Sequence, residues 1–342
     1  MIEIIKPGRL TTVQDLGRTG YGHLGVPEAG AADTYSLRQA NHLVGNADGT
    51  AALEMTGEGA SLRFEAACHV ALVGGELEAN LNGEPVAMHQ TLAVPTGAVL
   101  TCGPITRGWR CYLAVSGGFS VAPVMGSVSR DTLSGLGPEP LAAGQRLDTG
   151  PAGAVPGSYL RAPPRYGEGA TLRVLAGPQQ DWLAHGARRV FAASAYRVLP
   201  QSDRTGLRLD GPVLERRGEA ELPSMGVVAG TVQLPPSGLP IVLLANHGAT
   251  GGYPVIAQVI SADLPALAQL APGVELRFSE VDRATALALL REQERKLEND
   301  LVSADAALLA ARSLMMLAGR HASLKQAVVG DGKRRIRIRR GQ

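Results

Sequence analysis

HVALVGGELEANLNGEPV, residues 69–86, is the stretch that decides the fold. An apolar run, Val70–Val73, is followed by residues that alternate polar and apolar at the period of a pleated strand, and Asn82-Gly83 interrupts the alternation. Asn-Gly accepts left-handed backbone at both central positions of a tight turn, so the pair predicts a two-residue hairpin. Outward from it, ALEMTG (52–57), SLRFEA (61–66), TLAVPTGAVLTCG (91–103) and RCYLAVSGG (110–118) repeat the theme of short apolar or alternating runs closed by Gly or Pro. Strands this short and regularly spaced predict a barrel or sandwich rather than βαβ units.

Composition agrees. The 342 residues include 43 glycines, 22 prolines and only four phenylalanines, which favours many strands and tight turns over a helical bundle. The length exceeds what one core usually organises, so two domains are expected. The Pro/Gly-rich segment 149–169 breaks the strand pattern and marks the boundary. Before it, a strand at Ile2–Ile5 and a glycine-rich loop (11–33) lead to a helix over Thr34–Val44, with Asp33 as N-cap and Gly45 as stop. After it come strand 171–178, a short helix near Gln179, and strands at AYRVLP, LRLDGPVL, GTVQLPPSG and PIVLLAN. The run from apolar strand to Pro/Gly turn to final strand occurs in both halves, as two related barrels would produce.

Ser279-Glu280-Val281-Asp282 has the form of a capping box and predicts a helix carrying Leu287, Leu290, Leu297 and Leu301. That helix continues toward Met316, with or without a break near Asn299-Asp300, and Gly319 is its expected stop. RIRIRR (335–340) reads as a solvated tail. The expected organisation is therefore mainly β with a few helices: a first barrel (1–150), a linker (151–169), a second barrel (170–282) and a C-terminal helix with a basic tail (283–342).

Six of the 33 basic residues lie between Lys333 and Arg340, which leaves the body with 27 against 31 acidic ones. Such a body offers no electrostatic footprint for nucleic acid. Lysine occurs only at 6, 296, 325 and 333, so residues 7–295 hold neither a Walker A nor a Schiff-base lysine. If ATP is used, another chain binds it or an arginine and main-chain site does. Cys68, Cys102 and Cys111 lack paired metal-site spacing and read as buried thiols. Seven scattered histidines argue against a metal centre. No run of eighteen apolar residues and no leader is evident, so a soluble, cytoplasmic protein without a membrane partner is expected.

Three polar loops stand out. Gln14-Asp15-Leu16-Gly17-Arg18 packs an amide, a carboxylate and a guanidinium among glycines, a setting in which main-chain N–H groups can face an anion; an internal Asp15–Arg18 pair accounts for it equally well. Ser202-Asp203-Arg204 lies between Pro200 and Gly206, where Arg204 offers bidentate recognition of a carboxylate or phosphate; a hydrogen-bonded turn is the plainer reading. Asn246-His247-Gly248-Ala249-Thr250-Gly251-Gly252-Tyr253-Pro254 follows an apolar strand, and its glycines suit close approach to a ligand.

Read together, KPGRLTTVQDLGRTGYGHLGVPEAGAAD, ALEMTGEG, PQSDRTGLRLDGP, VVAGTVQLPPSGLPIVLLA and TGGYPVIAQVISADLPALAQLAPG resemble the family of allophanate hydrolase subunit 2, the C-type subunit of 5-oxoprolinase and Kip-type kinase regulators, and the second part of the urea carboxylase carboxyltransferase domain. The resemblance covers about residues 1–295. It implies two cyclophilin-like β-barrels that bind a companion of the B type, allophanate hydrolase subunit 1-like, and a lactam-utilisation companion of the A type. It also implies a small-molecule substrate, 5-oxoproline, hydrolysed to glutamate with ATP bound by the complex. Its alternatives are a biotin-dependent carboxyltransferase acting on urea or a similar amide, with biotin on a separate carrier, and a regulator that binds a kinase inhibitor without catalysis. Carried over by motif region, the expected catalytic residues are Arg18, Asp203, Arg204 and Tyr253. The expected substrate-binding residues are Gln14, Asp15, Ser202, Asn246, Thr250, Gly251 and Gly252, and no metal ligands are expected. Asn246, where relatives often carry Asp, and Val255, where they often carry Lys, depart from the family pattern.

Overall fold

Asn82 and Gly83 both adopt left-handed backbone (φ 52° and 86°), and Leu81 faces Glu84 across the hairpin formed by Cys68–Leu81 and Glu84–Val86. The computed structural model describes residues 1–167, 169–217 and 222–321. In the first half, Cys68–Leu81 pairs along nearly its whole length with Val99–Val115, through bulges between Gly74 and Ala79. Bulges bend a strand and raise its twist. The bent Val99–Val115 strand accordingly joins Ser61–Phe64 with one end and Ala52–Thr56 with the other. The result is a curved nine-stranded sheet, a half-barrel, whose inner face buries Ile2, Ile4, Phe64, Val70, Leu72, Leu113 and Val115.

Its outer face is covered as well. Leu37, Ala40 and Leu43 of α1 (Thr34–Leu43) pack on Ala71, Val73 and Ala114. Burial on both sides explains why residues 70–73 are continuously apolar where the flanking strand alternates. Asp33 caps α1 as expected, accepting the Ser36 N–H at 2.9 Å.

The second half closes completely. Seven strands, Gly169–Ala176, Val255–Val259, Thr231–Gln233, Ile241–Leu243, Gly206–Asp210, Ala195–Val198 and Glu275–Glu280, form a ring sealed by the parallel pairing of the first with the last. Side chains fill its interior, including Leu172, Tyr196, Leu209, Val232 and Phe278; Phe191 of α2 (Ala187–Ala193) stacks on Phe278 at 4.6 Å. The ring is therefore a packed core rather than a channel. The short α3 (Leu264–Ala268) leads into the sealing strand.

Three expectations for the C-terminal region are corrected: the capping box at Ser279, the place of Leu301 on the helix and the stop at Gly319. Ser279 and Glu280 belong to the sealing strand, where Ser279 pairs with Arg173, so Asp282 is the N-cap of α4 (Arg283–Asn299) and accepts the Thr285 N–H at 2.8 Å. Six paired strand residues outweigh one local cap. The break allowed for near Asn299-Asp300 is present, and it takes Leu301 off the helix: Leu301–Ser303 is a strand, paired with Ser158–Leu160 of the Pro/Gly-rich segment, and α5 (Ala306–His321) follows. α5 runs through Gly319 rather than stopping there; one helical glycine costs only about 1 kcal/mol. The basic tail, 333–340, lies outside the described residues.

This C-terminal region returns the chain to the first half. Glu294 of α4 pairs with Arg38 of α1 (2.8 Å), Asp300 Oδ1 accepts the Ala162 N–H (2.7 Å), and Gln90 Nε2 donates to Ser313 Oγ (2.8 Å). Among the described residues no helix is long and apolar enough to cross a membrane, and no three His, Cys, Asp or Glu side chains are grouped to hold a metal ion.

Candidate functional site

Asp15 and Arg18 do not pair with each other. The Asp15 carboxylate accepts from the Gly17 N–H (2.8 Å), Ser127 Oγ (2.6 Å), the Val128 N–H (2.8 Å) and Ser129 Oγ (2.5 Å). Arg18 is buried and donates from Nη2 to the Ser129 carbonyl. Gln14 is fully buried and donates to Thr12 Oγ1 and to the Arg130 carbonyl. Gln14 Oε1 and Arg18 Nη1 are buried without a hydrogen-bond partner among the described residues. The segment Ser127–Asp131 is thus the anvil on which the first loop is fixed. Sequence reading passes over it because SVSRD carries no motif and its only signal is a density of short polar side chains.

Arg204 lies at the junction of the halves, 3% exposed. It donates through Nη1 to Glu54 Oε1, through Nη2 to the Gly30 carbonyl, and through Nε to Asn246 Oδ1 at 2.7 Å. Asn246 Nδ2 in turn donates to Asp131 Oδ1. Glu54 also takes the Tyr112 hydroxyl (2.7 Å) and the Ala32 N–H (2.9 Å), and Arg110 Nε stands 3.5 Å away. Beside this cluster, Gln269 of the second half donates to Asp33 Oδ2 (2.8 Å) and accepts the Trp109 and Arg110 N–H groups. Two guanidinium groups, of Arg204 and Arg110, two amides and three carboxylates therefore lock the halves in a buried polar seam.

Two of these buried carboxylates, Glu54 and Asp33, are shifted in opposite directions. Burial alone would raise Glu54, but Arg204, Arg110 and its hydrogen bonds outweigh burial and hold it below its ordinary 4.5. Asp33 is pushed above its ordinary 3.8 by burial, which its four hydrogen bonds only partly offset. Glu54 thus contributes stability that is present above pH 4.5 and lost as pH falls through its folded value. Asp33 contributes in the reverse sense, with stability present below 3.8 and lost as pH rises through its folded value. We expect Glu54→Gln to flatten the acid-side loss of unfolding free energy, read by urea titrations between about pH 3 and 6. An unchanged slope would show that Glu54 is not the carboxylate responsible.

Ser202, Asp203, Thr250, Gly251, Gly252 and Tyr253 lie further out. Asp203 Oδ1 accepts the Thr205 N–H (2.8 Å) and the Gly206 N–H (3.3 Å), an Asx turn that leaves Oδ2 without a partner among the described residues. Ser202 Oγ is bonded to both main-chain groups of Arg208. Thr250–Gly251 pairs with Met225–Gly226 as a two-residue flap. Gly251 presses so closely on Gln233 that a Cβ would come within 2.3 Å of its Nε2, a buried amide nitrogen with no partner among the described residues. Tyr253, 44% exposed, lines a cleft of about 230 Å³ with Leu199, Arg208 and Leu239; Asp203 lines an adjoining one of about 220 Å³.

The three loops meet through main-chain and side-chain bonds: Asp15 with Ser129, Asn246 with Asp131, and Arg204 with Asn246 and Gly30. Gln14, Arg18, Arg204 and Asn246 are withdrawn from solvent, whereas Asp203, Thr250 and Tyr253 are exposed. Fold and seam together define a scaffold of a half-barrel locked to a closed barrel, with polar glycine-lined turns gathered where its halves meet. The chain belongs to the family described as carboxyltransferase domain, subdomain A and B, which matches residues 24–280. It is 38% identical over 303 residues to the C-type subunit of 5-oxoprolinase from Escherichia coli (strain K12), covering 87% of this chain and 97% of that protein. With the C-type subunit of 5-oxoprolinase from Haemophilus influenzae it shares 33% identity over 297 residues, 86% of this chain and 96% of that one. The crystal structure of the K. lactis urea amidolyase superposes with a TM-score of 0.81 at 27% identity, over 87% of this chain and 20% of that chain.

Proposed function

We propose that this chain is the C-type subunit of an ATP-dependent, cytoplasmic 5-oxoprolinase complex that opens 5-oxoproline to glutamate. The observation carrying this reading is coverage: the chain is similar to nearly the whole of two proteins named as C-type subunits of 5-oxoprolinase, but to only a fifth of the urea amidolyase chain. Its partners are then a companion of the B type, allophanate hydrolase subunit 1-like, and a lactam-utilisation companion of the A type, and it is active only with them. Its working division is a first barrel to residue 150, a linker to 169, a second barrel to 282 and a C-terminal extension.

ATP is assigned to the complex rather than to this chain. Residues 7–295 hold no lysine, and the groove of about 460 Å³ between the closed barrel and α4 offers Arg283 alone as a cation. Biotin belongs to the urea carboxylase-type alternative, on a separate carrier.

Lactam opening requires a planar amide to be held while negative charge grows on its oxygen. The Gly252 N–H and the Thr250 hydroxyl are suited to that oxygen, while the Gly251 N–H is taken up by the flap's pairing with Met225. Asp203 Oδ2 and the Tyr253 hydroxyl are the proton-handling groups that reach solvent. Gln14, Asp15, Arg18, Ser202, Arg204 and Asn246 hold these loops in place. The test is to co-express the chain with its two companions and assay ATP-dependent glutamate release from 5-oxoproline, with Tyr253→Phe and Asp203→Asn as variants. A loss of about 100-fold in kcat for either is expected. A complete complex that carboxylates urea but leaves 5-oxoproline intact would favour the carboxyltransferase reading. A complex that turns over neither would favour the regulator.

A further inference from the structure

Arg208 is an exposed cation inside the PQSDRTGLRLDGP stretch but outside the set of expected site residues. It lies at the centre of Gly206–Asp210, on the outer wall of the closed barrel, opposite Ile241 in register. Arg208 and Ile241 are shared by the Tyr253-lined and Asp203-lined clefts, so this exposed residue stands on the ridge between them. Arg208 is the sole cation among the residues lining either cleft, and its guanidinium forms no hydrogen bond or ion pair among the described residues. Asp203, in the same cleft, is not within ion-pair distance of it.

The root of this side chain is held firmly. Ser202 Oγ accepts the Arg208 N–H at 3.0 Å and donates to the Arg208 carbonyl at 3.4 Å, while the Leu199 N–H donates to that carbonyl at 2.8 Å. An unpaired guanidinium with an anchored base, facing a cleft walled by Leu199, Leu239, Pro235 and the Tyr253 ring, combines the two features that small-molecule carboxylate recognition needs. The planar fork takes both carboxylate oxygens, and the apolar wall takes the rest of a compact molecule. About 230 Å³ is below the range typical of drug-sized ligands and suits a single small ring.

We infer that Arg208 anchors the carboxylate of a small cyclic amide acid, with the ring lying against Tyr253 and the lactam directed toward the Thr250–Gly252 turn. This rests on the 5-oxoprolinase reading for the identity of the ligand, but not for the existence of the carboxylate site. Ser202 is then a positioning residue, acting through the main chain of Arg208.

Two measurements separate the inference from that reading. In the complete complex, Arg208→Gln should raise the KM for 5-oxoproline about 10- to 100-fold and leave kcat within about 3-fold, because the lost contact is present in ground and transition states alike. Arg208→Lys should recover part of the loss. In calorimetry on the full chain, 5-oxoproline should bind wild type but not Arg208→Gln, and 2-pyrrolidinone, the same lactam without a carboxylate, should bind neither. An active complex whose KM is unmoved by Arg208→Gln overturns the inference and leaves the functional reading standing. Arg208-dependent binding of 5-oxoproline by a complex that releases no glutamate sustains the carboxylate site and overturns the reading. No binding together with no turnover overturns both. A variant that keeps its KM but no longer co-purifies with the companion subunits makes Arg208 a docking contact and overturns the substrate assignment.

Discussion

Arg204→Met should lower the unfolding free energy by about 3–5 kcal/mol and the melting temperature by about 5–15 °C. The variant removes three charge-assisted bonds at once. Gly30 and Asn246 lose their donor, and Glu54 Oε1 is left with Arg110 Nε at 3.5 Å. A buried carboxylate short of counter-charge is costly because burial denies it water while supplying no substitute. Adding Glu54→Gln to Arg204→Met should recover part of the loss, since an uncharged amide tolerates the same surroundings better. Calorimetry checks both, and a single variant within about 1 kcal/mol of wild type would show that the seam does not couple the halves. Loss of enzymatic activity on mutating Arg204 therefore does not make it a catalytic residue; it must first be separated from loosening of the seam.

Asp15→Ala should cost about 2–4 kcal/mol and release the first loop from Ser127–Asp131. Four donors converge on this one carboxylate, two main-chain N–H groups and two hydroxyls, and alanine leaves them to find water in a partly buried niche. Hydrogen exchange at the Gly17 and Val128 amides should accelerate well beyond that of the barrel strands. Equal protection in wild type and variant would sink the idea that Asp15 is the staple. Arg18 should be disturbed in turn, because the Ser129 carbonyl it binds is held by the same segment.

Much of the fold was legible in the sequence, for local reasons. Asn82-Gly83 forms its hairpin because few dipeptides accept two left-handed residues in succession. Asp33 caps its helix because a short carboxylate just before the first turn reaches the Ser36 N–H. Ser279 misled because a capping pattern is local, whereas its strand pairs with a residue more than a hundred positions earlier, Arg173. The site was legible only as loops. Their polar residues announced that something was being held, but Arg204 and Arg208, four positions apart, look equivalent in the text. One faces Glu54 across the seam and the other faces open clefts. The alternation of Gly206–Asp210 could have separated them, since Arg208 falls on the outward phase of the strand; Arg204 precedes the strand, where no periodicity applies.

The parallel seam of the closed barrel also constrains how the protein is made. Glu275–Glu280 sits between Gly169–Ala176 and Ala195–Val198 and pairs with both. A ribosome must therefore deliver some eighty residues beyond the second of those strands before the ring can shut. Until then the nascent second half has open edges, which are prone to pair with strangers, while the first half has already received all its long strands. Late closure of the second lobe, after the strands of the first are all in place, is the folding order that this topology imposes.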